Sequence, residues 1–141
     1  MAASIELLSE SETQRLFYCF ELKKSSLIPC GPHNCTLWPL TKNGIYPNFQ
    51  FSSHILDKPI QTSPHIVAFY KKHRQLPTEK RQRLEPQKYE ISHICHQRNC
   101  CEVTHLCRET TQQNNARKRC NRLKKLGREQ INCEHIPACL L

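Results

Sequence analysis

The sequence predicts a small α+β domain whose apolar core is supplemented by clustered cysteines and histidines. Three observations carry that prediction. Apolar residues recur at helical spacing in some stretches and alternate with polar ones in others, the chain is 141 residues long, and ten of those residues are cysteine. The length fits one domain, 1–141, in which a single core is normal but not generous. Lys and Arg total 21 against 12 Asp and Glu, a formal charge of +9, so a polyanion is the natural partner, with nucleic acid and a membrane surface both qualifying. No apolar run approaches a spanning helix, and Met1 to Glu12 lacks the basic-then-apolar pattern of a signal peptide. An intracellular protein with reduced thiols and no membrane partner is expected. Gly31, Gly44 and Gly127 are the only glycines, too few for a P-loop or a dinucleotide-binding fingerprint, which excludes nucleotide-driven chemistry of those kinds.

Leu7, Leu8, Leu16, Phe17, Phe20 and Leu22 fall at roughly helical spacing, with Ser9 or Ser11 as N-cap and Glu10 and Glu12 nearby. Most of Leu7 to Leu27 is therefore expected to be one amphipathic helix. The breakers Pro29, Gly31, Pro32 and Pro39 predict a loop from Ser25 to Pro39, carrying Cys30 and Cys35. Trp38, Leu40, Ile45, Tyr46, Phe49 and Phe51 surround Asn43-Gly44, whose residues both tolerate positive φ, so Leu37 to Phe51 reads as a short antiparallel hairpin. Phe49 and Phe51 alternate with Asn48, Gln50 and Ser52 as in a half-buried strand, while Pro39 and Pro47 belong at edges or strand ends. Ser63 caps a second helix that starts at Pro64 and runs through Ile66, Val67, Phe69 and Tyr70 to a basic end at Lys71 to Arg74, which should face solvent or phosphate. Gln75 to Lys88, polar and interrupted by Pro77 and Pro86, has the composition of an exposed connection. Tyr89 to Cys95 and Val103 to Cys107 read as strands, followed by a helix that Thr110 or Thr111 caps and Gly127 ends.

The tail Cys133-x-His135-x3-Cys139 gathers three ligands into one short loop, and Cys120 near the end of the preceding helix is the nearest fourth. Upstream, Cys95-x4-Cys100-x4-His105 can fold around a second ion, with Cys35 or Cys30 arriving from the N-terminal half. Zinc is the metal that thiolates and imidazoles prefer in tetrahedral structural sites. The long-range ligand would tie the two halves together, and metal removal is expected to unfold the C-terminal half. Six thiolates subtract six charges and two Zn²⁺ return four, so the metal-loaded chain stays basic, at about +7. Cys19, Cys101 and Cys107 are left as ordinary thiols. On spacing alone, His93 beside Cys95 is better read as a zinc ligand than as a reactive group.

The string Ser92-His93-Ile94-Cys95-His96-Gln97-Arg98-Asn99-Cys100, continued by His105-Leu106-Cys107, Asn114 and Cys133-x-His135-x3-Cys139, resembles the His-Cys box of homing endonucleases. These belong to the wider ββα-metal (His-Me finger) nucleases. The resemblance runs from Ser92 to Cys120, resumes at Cys133 to Cys139 and includes Cys35 upstream. It implies an N-terminal helix and loop at 1–34, a DNA-binding antiparallel sheet at 35–60, a ββα-metal core at 89–126 and a second zinc loop at 127–141. It further implies two structural zinc ions, held by Cys35, Cys95, Cys100 and His105 and by Cys120, Cys133, His135 and Cys139, and so selects Cys35 over Cys30. His93 becomes the general base and Asn114 the protein ligand of a catalytic Mg²⁺ in DNA phosphodiester hydrolysis that leaves a 5′-phosphate and a 3′-hydroxyl.

That chemistry is coherent, since a neutral imidazole can take a proton from water near pH 7 and a divalent ion can stabilise charge on phosphate and leaving oxygen. One carboxamide oxygen suffices because phosphate oxygens and waters complete the Mg²⁺ shell. Asn114 lies in the polar run Gln112-Gln113-Asn114-Asn115, where a solvated helix face is the ordinary reading and Asn115 competes if the register slips. Arg117-Lys118-Arg119 and Arg122 to Lys125 read equally as solvated surface or phosphate contacts. Base readout falls to the Leu37 to Lys58 sheet, with Asn48, Gln50 and Ser52 on one face and Lys58 beside them, because a two-stranded ribbon can enter the major groove. Two departures from the family stand out. The family sets a sheet Arg at the scissile phosphate, whereas Cys35 to Ile60 offers only Lys42, His54 and Lys58. With two residues after Cys139, no C-terminal dimerising extension is expected, although a homodimer would suit cutting of both strands. The corresponding location is nuclear. The alternative is a non-catalytic, zinc-dependent nucleic-acid-binding module derived from such a nuclease.

Overall fold

Ser9 opens the first helix, its hydroxyl accepting the Glu12 N–H at 3.3 Å, and α1 (Glu10–Lys24) follows. A computed structural model of the chain describes residues 4–44, 46–78, 87–127 and 133–141. The helix is shorter than the apolar run from Leu7 to Leu27 because Ser9 takes the cap, leaving Leu7 in a separate 3-10 turn (Ile5–Leu7) with its side chain exposed. Leu16, Phe17 and Phe20 form the buried face of α1. Phe20 stacks on Trp38 with ring centroids 5.4 Å apart, and Phe49 meets both rings edge-on at 5.8 Å. The Trp38 indole N–H donates to the Asn48 carbonyl at 3.2 Å, so the largest core side chain is also satisfied.

The expected hairpin across Asn43-Gly44 needs correction. Among the described residues a single bridge, Leu40 to Pro47, spans that turn, while β1 (Phe49–Phe51) pairs antiparallel with β2 (Ile60–Thr62), which lies after it in sequence. Pro39 and Pro47 have no N–H to give, so the ladder cannot lengthen on that side. At the turn itself Gly44 has φ +66° and donates to the Thr41 carbonyl at 2.7 Å, whereas Asn43 keeps a negative φ. The alternation along β1 is as expected, with Phe49 and Phe51 buried and Gln50 exposed between them.

Pro64 starts α2 (Pro64–His73), which packs Val67, Ala68 and Phe69 into the same core and ends on Arg74 at φ +53°. Its basic end is not simply a solvent-facing one. Lys71 reaches Glu21 at 2.9 Å and Arg74 reaches Glu10 at 2.8 Å, so two of its cations pair with α1. Much of the expected connection, residues 79–86, lies outside the described residues; at its start Leu76, Pro77 and Thr78 are half-buried. Tyr89 N–H donates to the Thr78 hydroxyl at 2.9 Å, and Thr78 N–H to the Tyr89 carbonyl at 3.0 Å.

The C-terminal half has the order strand, strand, helix. β3 (Tyr89–His93) pairs antiparallel with β4 (Leu106–Thr110), Tyr89 opposite Thr110 and His93 opposite Leu106. The expected strand from Val103 to Cys107 is thus displaced, because Val103–His105 forms a 3-10 turn capped by the Glu102 carboxylate, which accepts the Thr104 N–H at 3.3 Å. Thr110 then caps α3 (Thr111–Lys125) in a reciprocal box with Gln113, and Gly127 closes the helix at φ +72°. Among the described residues no helix is long and apolar enough to cross a membrane.

Candidate metal centres and active site

Cys30 and Cys35 face each other across a tight loop closed by two backbone hydrogen bonds, at 2.9 and 2.8 Å. The loop delivers Cys35, not Cys30, to the bend after β3. There the donor atoms of Cys35, Cys95, Cys100 and His105 lie within 4.8 Å of one another, all four residues being buried. His105 Nδ1 stands 3.6 Å from Cys35 Sγ and 3.5 Å from Cys100 Sγ. The second tetrad, Cys120, Cys133, His135 and Cys139, is equally close, with His135 Nδ1 at 3.5, 3.3 and 3.8 Å from the three sulfurs in that order. Four ligands on one tetrahedral Zn²⁺, with bonds of ~2.0–2.3 Å, sit about 3.5–3.8 Å from one another. Both tetrads therefore fit zinc in donor type, number and spacing.

Thiol acidity gives the same answer by another route. Without a cation, burial and then the Cys100 charge push the Cys35 thiol up. The hydrogen bond from Cys95 pulls Cys100 down to about 5 while raising Cys95 itself. In the tail, burial raises Cys120 and Cys139, the latter to about 12. Burial opposes ionisation of Cys133 too, but the Cys139 amide and His135 draw it down to about 6. In each cluster one thiolate is favoured and its neighbours are held protonated, and a divalent cation would offset the repulsion of three thiolates in so small a space.

Between β3 and α3 lies a depression of about 190 Å³, into which the fold brings His93, Asn114, Arg98 and Lys118. His93 Nε2 is 3.1 Å from the Cys100 carbonyl. A carbonyl only accepts, so Nε2 carries the hydrogen and Nδ1 keeps its lone pair. Burial lowers the His93 pKa to about 4 and keeps the ring neutral near pH 7. His65, from the first turn of α2, packs against it with ring centroids 4.4 Å apart, and burial, then His93, lowers its own pKa to about 3. Asn114 Nδ2 donates to Glu90 Oε2 at 2.7 Å. Because a carboxylate only accepts, that bond fixes which way the amide faces and leaves Oδ1 as a free ligand atom. Asn115 is exposed and accepts from Lys118 Nζ at 3.2 Å, one register away from the depression.

Asn48, Gln50, Ser52 and Lys58 are all exposed, the first three on the outer side of the β1 stretch, and none of them lines that depression. Arg117 is a correction. Grouped by sequence with surface cations, it is 1% exposed and forms a bidentate pair with Glu109, both bonds 2.9 Å. It also donates to the Pro137 carbonyl at 2.7 Å and lies 3.4 Å from Cys139 Sγ, so it anchors the second metal loop to the ββα unit. Burial pushes the Glu109 carboxyl up, but the Arg117 guanidinium outweighs it and the net shift is downward. Sequence reasoning also missed His65 and Glu90, whose roles depend on contacts between distant elements and carry no spacing signal.

The hairpin and helix that present His93 and Asn114, braced by two zinc-type tetrads, define a metal-stabilised ββα domain. A family profile for the zinc-binding loop region of homing endonuclease matches residues 40–141, and the chain belongs to that family. No curated protein matches the sequence. The matched stretch begins after Cys35, so the first tetrad completes itself with a ligand from upstream of it.

Proposed function

We propose that the protein is a Mg²⁺-dependent endonuclease that hydrolyses DNA phosphodiester bonds in the depression between β3 and α3. The observation that supports this most is the paired orientation there: His93 has its Nε2–H tied to the Cys100 carbonyl, and Asn114 has its amide tied to Glu90. His93 Nδ1 takes the proton of the attacking water, and the Cys100 carbonyl steadies the ring as positive charge develops. Asn114 Oδ1 fits a hard cation, though as a single protein oxygen it requires phosphate and water to fill the remaining positions. Mg²⁺ held there would supply charge stabilisation at the phosphate and the leaving oxygen. Glu90 positions Asn114, and Cys100 joins the first zinc tetrad to the base, so structural and reactive parts share a residue. Arg98 and Lys118 bring cations to the same depression, in a chain whose Cys35 to Ile60 stretch has no arginine. The exposed side of β1, with Asn48, Gln50 and Ser52, and Lys58 are the proposed DNA contacts. The proposed compartment is the nucleus, and a homodimer would convert single-strand nicking into duplex cleavage.

Plasmid relaxation tests the reading. Zinc-loaded wild type is expected to nick or linearise supercoiled DNA when Mg²⁺ is added, while His93→Ala loses at least ~10²-fold in rate and Asn114→Ala requires far more Mg²⁺. Wild-type protein that binds the plasmid and leaves it intact at every Mg²⁺ concentration would favour the non-catalytic binding module.

A further inference from the structure

A second depression, of about 290 Å³, lies beside the first zinc tetrad, between the Cys30–Cys35 loop and the C-terminal end of α3. It shares two wall residues, His96 and Asn121, with the depression that holds His93 and Asn114, so the two are neighbours along one groove. One face of α3 paves that groove. Asn114, Lys118, Asn121 and Lys125 recur at intervals of four, three and four residues, which keeps them in one stripe, and Lys124 flanks its end. At ~1.5 Å per residue the stripe runs ~16 Å, about five nucleotides of one strand at ~3.4 Å of axial rise each. Two half-buried side chains that line the far depression, His33 and His96, each have a buried Nε2 without a partner among the described residues. Buried polar atoms are seldom left unpaired, so two in one wall, next to two lysines, point to an anionic ligand with oxygens to share.

We propose that this second depression is a phosphate subsite that grips the same nucleic-acid strand a few nucleotides from the bond at His93, using Lys124, Lys125, His33 and His96. The assignment of the strand rests on the nuclease reading of the first depression; the anion-binding chemistry does not. The subsite sets the direction in which the strand crosses the ββα unit. It gives the basic end of α3 a task that the first depression, lined only as far as Asn121, does not.

The test uses the full zinc-loaded chain with ¹⁵N-labelled histidine, without Mg²⁺, titrated with a short DNA duplex and followed by imidazole NMR and fluorescence anisotropy. His33 and His96 ring signals are expected to shift on binding, and Lys124→Ala/Lys125→Ala is expected to abolish those shifts, weaken binding about tenfold and leave the His93 shift in place. Arg119→Ala/Arg122→Ala removes the same charge from exposed α3 positions that line neither depression. It is expected to weaken binding about twofold and to preserve the His33 and His96 shifts. Silent His33 and His96 signals beside a shifting His93 would overturn the subsite and leave the nuclease reading standing. Equal loss in the two double variants would also overturn it, reducing the effect to net charge. Shifts at His33 and His96 that vanish in Lys124→Ala/Lys125→Ala, in a protein that never cuts with Mg²⁺, would support the subsite and reject the nuclease reading.

Discussion

Arg117 shows how much one side chain can carry without any local sign of it. A guanidinium 1% exposed, paired with a Glu109 side chain 8% exposed, has exchanged water for two 2.9 Å bonds and a carbonyl of the tail. Removing one partner strands the other, and Arg117→Met is expected to cost about 3–5 kcal/mol in chemical denaturation with zinc retained in the buffer. Arg117→Met/Glu109→Leu should recover most of that loss, since a desolvated pair is often matched by apolar packing. The pH dependence has a definite sign. The Glu109 pKa is lowered on folding, so the pair's contribution is present above the unfolded carboxyl value of about 4.3 and is lost as pH falls through the lower folded value. The stability gap between wild type and Arg117→Met should accordingly narrow only in acid, where Glu109 is protonated in both. A gap that narrows instead toward alkaline pH would reject this role. The two tetrads were readable in sequence because metal ligation restricts residue type and spacing together, with Cys35 separated from Cys30 only through the family resemblance, whereas spacing alone made His93 a zinc ligand rather than a base. Arg117, between Ala116 and Lys118 in a basic run, offered only a charge.

At the scale of elements, the caps were legible and the pairings were not. Ser9, Ser63 and Thr110 each occupy the N-cap position of a helix, Ser9 and Thr110 with a side-chain bond to the first turn and Ser63 without one, and Gly127 ends one. Thr110 bears on function because it joins β4 to the helix that carries Asn114. Thr110→Ala breaks the box with Gln113 and should cost about 0.5–2 kcal/mol in thermal or urea unfolding, with cleavage falling further than the fold as Asn114 loses its fixed offset from His93. Equal, undisturbed cleavage in that variant would argue against a positioning role for the cap. The partner of β1 could not be read from Asn43-Gly44, since a turn signal names a place for reversal but not the strand that wins the pairing. Two prolines stopped the near partner, and Ile60, buried opposite Phe51, supplied the far one.

Across the whole molecule, metal substitutes for apolar area. The main core closes around Trp38, Phe20 and Phe49 and takes in Ile91 of β3 and Leu106 of β4, while the bend after β3 and the tail are gathered by the tetrads and a few long-range hydrogen bonds. Trp38 N–H donates to the Asn99 carbonyl at 2.8 Å, Cys101 N–H to the Thr36 carbonyl at 2.8 Å and Leu140 N–H to the Ile94 carbonyl at 2.8 Å, so both metal loops are stitched to the segment that follows His93. Cys35→Ser should therefore lower the zinc content from two ions to one by native mass spectrometry and loosen the His93 loop, while Cys30→Ser keeps both ions. Spacing left Cys30 and Cys35 as rivals; the fold separates them because Cys35 alone reaches His105 at 3.6 Å. Chelation is expected to unfold the C-terminal half, seen as lost helical circular dichroism, because three thiols per site cannot ionise together without the ion.

The claim that joins these scales is that zinc builds the scaffold on which His93 and Asn114 cut a phosphodiester bond. Mg²⁺-dependent cleavage of a randomised DNA duplex library, measured as zinc is returned stepwise to the stripped chain, tests it most directly. Cleavage is predicted to appear as the two sites fill, to leave 5′-phosphate ends, and to remain absent in fully zinc-loaded His93→Ala. Full cleavage by the zinc-free chain, or a fully loaded, folded wild type that leaves the library uncut, would contradict it.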